Sequence, residues 1–84
     1  MQLSARADRL RAAIETAAGV EPGVEEVGPA RVRISAPIAE DSTLAAFRGV
    51  LAVARRGDDW GSSSEAGAVI VWTEVQEPRK GQGQ

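Results

Sequence analysis

The 84-residue chain contains no cysteine, no histidine and no tyrosine, and Lys80 is its only lysine. Without cysteine there is no disulfide framework and no thiolate metal site. This fits a reducing, cytoplasmic setting. Without histidine the commonest general base and the commonest transition-metal ligand are also missing. A hydrolase built from this chain would have to work with carboxylates, hydroxyls, arginine or Lys80. That lysine lies in a polar terminus where nothing would depress its pKa, so the inventory points away from catalysis. No cofactor is implied. No apolar run reaches the length needed to cross a bilayer. The start, Met1-Gln2-Leu3-Ser4-Ala5-Arg6-Ala7-Asp8, lacks the basic and apolar regions of a secretory signal.

What is present is ordinary globular material: 43% hydrophobic residues, 26% charged residues and a net charge of −2. The acidic balance gives no overall attraction to phosphate polymers or anionic lipid. Nine arginines against one lysine, with abundant alanine, glycine and valine, accord with a GC-rich bacterial genome. At this length only about 60–65% of the unfolded chain's surface is buried on folding, so a partner covering more apolar area would add stability.

Leu3, Ala7, Leu10, Ile14 and Ala17 repeat at helical spacing, Ser4 can cap them and Gly19 can follow the last turn; this predicts a helix over 5–18. Glu21-Pro22-Gly23 breaks the pattern, residues 24–27 suit a short strand, and Gly28-Pro29 suits a turn. In 30–36, Val32, Ile34 and Ala36 alternate with Arg31, Arg33 and Ser35, the pattern of a half-buried strand that Pro37 should end. A second helix is expected from Asp41 or Ser42, burying Leu44, Phe47, Leu51 and Ala54 with Val50 beside them, and stopping at Gly57. Residues 57–67 read as a polar loop interrupted by Trp60, and 68–75 as the final strand. No internal repeat is evident.

These elements define a single α+β domain over 1–76 and a disordered tail over 77–84. The expected fold is a small two-layer sandwich of order α-β-β-α-β. Two helices lie on one face of a three-stranded, mainly antiparallel sheet. In element order this resembles a ferredoxin-like plait without its first strand. Residues 23–27, Gly-Val-Glu-Glu-Val, resemble the helix-to-strand passage of heavy-metal-associated domains. The cysteine pair of those domains is absent, so their metal chemistry is not implied.

Three features invite a functional reading. Asp58, Asp59 and Glu65 around Gly61-Ser62-Ser63-Ser64 could hold a cation or cradle an anion. The acids would repel phosphate, however, and neither a P-loop nor an EF-hand pattern is present, which leaves a solvated connection as the simplest reading. The acid pairs Glu25-Glu26 and Glu40-Asp41 read as solvated strand residues and a helix start. The final strand is more informative. Val69, Val71, Thr73 and Val75 face one way, and Ala68, Ile70, Trp72 and Glu74 the other. A two-layer fold needs only one apolar face, so Ile70 and Trp72 are surplus, with Arg31 and Arg33 outward on the neighbouring strand.

Three roles compete for that surplus: a local cluster of arginine stems and Trp72 on a wet sheet, a protein interface, or a base-stacking surface for single-stranded RNA or DNA. The expectation carried forward is a non-catalytic protein-interaction domain, self-associating as a homo-oligomer or serving as a small accessory or adaptor subunit. Trp72, Ile70, Arg31 and Arg33 would form its contact surface, with Trp60 as either a second anchor or a lid on the core.

Overall fold

The computed structural model describes residues 3–39, 42–65 and 67–77. Two helices, α1 (Ala5–Ala18) and α2 (Leu44–Ala54), cover one face of an antiparallel sheet of four strands. The strands are β1 (Gly23–Gly28), β2 (Arg31–Ala39), β3 (Asp59–Glu65) and β4 (Ala68–Gln76), in spatial order β1-β2-β4-β3. The α+β class and the succession of helices and strands are those expected. The sheet has a fourth strand because the segment read as a polar loop pairs with β4 over its whole length, from Asp59↔Glu74 to Glu65↔Ala68. A ferredoxin-like plait runs β-α-β-β-α-β. The observed order, α-β-β-α-β-β, is a cyclic permutation of that succession, with β4 at the end of the chain. The result is an α-β-β unit traversed twice, a repetition of structure without a repeat in sequence.

α1 has the expected bounds. The Ser4 hydroxyl accepts the Ala7 N–H at 3.1 Å, and Gly19 closes the helix at φ +77° with its N–H on the Glu15 carbonyl. Its buried stripe, Ala7, Leu10 and Ile14, packs on Val32, Ile34, Ala36 and Ile38 of β2 and on Val71 and Val75 of β4. Each fully buried Val or Ile contributes roughly 1.5–3 kcal/mol. The β1–β2 turn is centred on Pro29 and Ala30 rather than Gly28-Pro29, with Ala30 at φ +57°. Its carbonyl is held by the Glu77 N–H at 2.6 Å and by Gln76 Nε2 at 3.1 Å.

Pro37 does not end β2, which continues to Ala39. Pro37 lies opposite Ile70, and β1 has already stopped at the Gly23↔Ser35 pair. The proline nitrogen points to that vacant edge, so no ladder bond is lost.

α2 is capped by Thr43, whose hydroxyl accepts the Ala46 N–H at 3.0 Å, rather than by Ser42; Glu40 and Asp41 lie outside the described residues. The helix is also rotated from the expected phase. Val50 and Ala54 are its buried centre, Phe47, Leu51 and Val53 pack partly on the core, and Leu44 is 61% exposed. Glu77, expected to begin the tail, belongs to the fold: its carboxylate takes the Ser4 N–H at 2.8 Å and the Ser4 hydroxyl at 2.5 Å. Residues 78–84, including Lys80, lie outside the described residues.

The passage from α2 to β3 turns on a close approach. A Cβ on Gly57 would collide with the Thr73 hydroxyl oxygen. That hydroxyl, fully buried, donates to the Ala54 carbonyl at 2.8 Å and lies 3.1 Å from the Asp59 carbonyl. Gly57→Ala should therefore destabilise the fold by about 1–3 kcal/mol through overpacking, read as a lower denaturation midpoint at unchanged m-value.

Candidate interaction surface

The two faces of β4 separate as its alternation requires. Val71, Thr73 and Val75 are buried beneath the helices. Ala68, Ile70 and Trp72 lie on the outer face, half-buried, and among the described residues no further element of the chain covers that face. Strand register places their neighbours. Ser35 and Gly61 flank Trp72, Pro37 and Ser63 flank Ile70, and Arg33 and Asp59 flank Glu74.

Glu74 organises this face. Only 8% exposed, it receives Arg31 Nε at 2.7 Å on one carboxylate oxygen, with Arg33 Nη2 at 2.6 Å and Nε at 2.9 Å on the other. These charge-assisted bonds hold the Glu74 pKa below the usual glutamate value, the Arg31 bond first and the Arg33 bond second. Fixed in this way, the Arg33 guanidinium lies 4.6 Å from the Trp72 ring centroid. The ring also lies against Gly61, where a Cβ would come within 2.7 Å of Trp72 Cζ2. The outer face is thus a connected set running from Arg31 and Arg33 on β2, through Glu74 and Trp72 on β4, to Gly61 on β3.

Four of the five expected contact residues, Trp72, Ile70, Arg31 and Arg33, share this face. Trp60 does not. Opposite Thr73, it lies on the helix side of the edge strand, 44% exposed, with the Arg55 guanidinium 5.7 Å from its ring centroid. Sequence reasoning missed Glu74 as the hub and Gly61 as the seat of Trp72. The pattern placed Glu74 outward, but its pairing with the arginines appears only once strand register is known. Gly61 was hidden by the loop reading.

The polar segment beside them is an extended strand rather than the expected loop. Gly61-Ser62-Ser63-Ser64 runs extended along β4 and does not curl into a cradle. Its two flanking aspartates are committed elsewhere. Asp58 accepts the Gln76 N–H at 2.7 Å and pairs with Arg6 at 3.1 Å, while Asp59 accepts the Trp60 N–H at 2.9 Å. Among the described residues no three His, Cys, Asp or Glu side chains come together as a metal-binding set. Nor is any described helix long and apolar enough to cross a membrane. No protein-family model, curated protein or solved structure matches the chain.

Asp58 is also held below the usual aspartate range, by the Gln76 N–H first and by Arg6 second. For both carboxylates the folded-state pKa is lower than the unfolded one. Their stabilisation is complete above about pH 4.3 and is lost as pH falls through the depressed folded values. Chemical denaturation at a series of pH values should show stability falling as pH drops below about 4.3. The acid limb should be shallower in Glu74→Gln and in Asp58→Asn. A limb unchanged in both variants would contradict the assignment.

Proposed function

We propose that the chain is a non-catalytic protein-interaction module, a small accessory or adaptor subunit whose outer sheet face docks a protein partner. The observation that carries this reading is the outer face itself. Trp72 and Ile70 sit there beside an ion-paired triad, on a sheet whose other face already supplies the core. Aromatic and arginine side chains are enriched at interface hot spots, and rigid ones lose little entropy on binding. Trp72, seated on Gly61 and stacked by Arg33, is such a side chain. Residue chemistry supports the non-catalytic half of the reading, since histidine, cysteine and tyrosine are absent.

A second reading, binding of single-stranded nucleic acid, draws on the same arginine and tryptophan on an open sheet. Glu74 weighs against it, because both outer-face arginines already share that one carboxylate. Little positive charge is then left for phosphates.

A photo-crosslinking side chain at position 70, introduced in the native cell, tests the proposal. It should yield a discrete protein adduct that the same group at exposed Thr16 on α1 does not. No adduct at position 70, or the same adduct at both positions, would contradict the reading. Titration with mixed oligonucleotides at low salt, where phosphate contacts are strongest, addresses the alternative. The protein-docking reading expects no binding there.

A further inference from the structure

The sheet has two edges, and they are built differently. β1 follows Pro22, slips register between Glu26 and Gly28, and exposes the adjacent acids Glu25 and Glu26. Bulges, charges and nearby proline are the devices that block strand addition. β3 has none of them between its two ends: Trp60-Gly61-Ser62-Ser63-Ser64 carries no charge and no proline, and it pairs with β4 without a register shift.

The alternation of the ladder shows which β3 groups are open. The Trp60 N–H is taken by the Asp59 carboxylate rather than by β4. Pro37 opposite Ile70 independently sets the same phase, because Val69 and Val71 then direct their backbone groups to β2. Ser62 and Ser64, opposite Val71 and Val69, consequently direct their N–H and C=O groups away from β4, to the free edge.

Beside this edge stands a flank of α2 that no other described element covers completely. Val53 packs with residues of α1, whereas Arg55 reaches Trp60, so the opposite side of the helix, with exposed Leu44 and the partly core-packed Phe47 and Leu51, is turned to the β3 side. Leu44 is 61% exposed and Trp60 44%. The floor below them is made of the small side chains of Ser62 and Ser64.

We infer that β3 pairs antiparallel with β3 of a second copy of this chain, giving a continuous eight-stranded sheet about a two-fold axis. A foreign strand would satisfy the edge but leave the α2 flank uncovered. A second copy brings a strand and a helix flank together, because a two-fold contact is self-complementary. The spacing suits it. The two β4 strands would stand about 14 Å apart, three strand spacings, with α2 of each copy above its own β4. Packed helices stand about 8–10 Å apart, so the remaining gap has to be filled by side chains. Leu44 and Trp60 of both copies, with the solvent-facing parts of Phe47 and Leu51, fill it, and Ser62 and Ser64 leave room beneath. Arg48 and Arg55, farther around the helix, form a polar rim.

Sedimentation over a concentration series tests the inference. The wild-type chain should sediment at twice the 8.8 kDa chain mass. Leu44→Glu, at an exposed position, and Ser62→Pro, which removes an outward N–H, should each weaken the dimer roughly tenfold or more with circular dichroism unchanged. Ser62→Lys serves if the proline variant fails to fold. Amide exchange at Ser62 and Ser64 should be slow in the wild type and fast in Leu44→Glu. This inference does not rest on the outer-face reading, and Ile70→Glu separates the two: the dimer should persist in it. A monomeric wild type, a dimer indifferent to the Leu44 and Ser62 variants, or a dimer lost in Ile70→Glu and kept in the others would overturn it.

Discussion

Much of the outer surface depends on one carboxylate. Glu74 is almost withdrawn from water, and a buried charge is costly unless paired and fully hydrogen-bonded. Arg31 and Arg33 meet that condition from the neighbouring strand, two residues apart and therefore on one face. The same bonds restrain Arg33 over Trp72, and Trp72 in turn covers the backbone at Gly61. One ion-paired group thereby ties three strands together on the side the helices do not reach. On the helix side, the Thr73 hydroxyl joins the end of α2 to the start of β3.

Among the described residues the sheet therefore has a completed face, an organised but uncovered face, one guarded edge and one open edge. The completed face needs nothing more: Val32, Ile34, Ala36, Val71 and Val75 are buried by α1 and α2. The uncovered face and the open edge are separate surfaces, since Trp72 and Trp60 lie on opposite sides of the sheet. A small chain that pairs through its edge while presenting two copies of the Trp72 face would suit an accessory subunit. Pairing would also cover apolar area that an 84-residue domain cannot bury alone.

Elements with a strong local signal were legible in the sequence. α1 has a capping serine, a clean apolar stripe and a terminal glycine, and it forms at the expected bounds. The division of β4 into two faces follows from alternation alone, so Trp72, Ile70, Arg31 and Arg33 were placed on one surface in advance. β3 was not legible, because Gly-Ser-Ser-Ser has little strand propensity and becomes a strand only by pairing with β4. The phase of α2 was hidden by its composition. With apolar residues at nearly every position of Leu44–Ala54, several stripes fit equally well, and the contact with α1 through Val53 selects one. Pro37 misled because its effect depends on which neighbour its nitrogen faces, and that is a property of the assembled sheet.

The most direct test of this account is an NMR pH titration of the Glu74 side-chain carboxyl carbon, with the Trp72 indole resonance followed in the same samples. The Glu74 midpoint should fall below the usual glutamate value, and Trp72 should shift at that same midpoint as Arg33 loses its anchor. A Glu74 midpoint at or above the usual value, or a Trp72 resonance indifferent to it, would contradict the claim that this carboxylate holds the outer face in order.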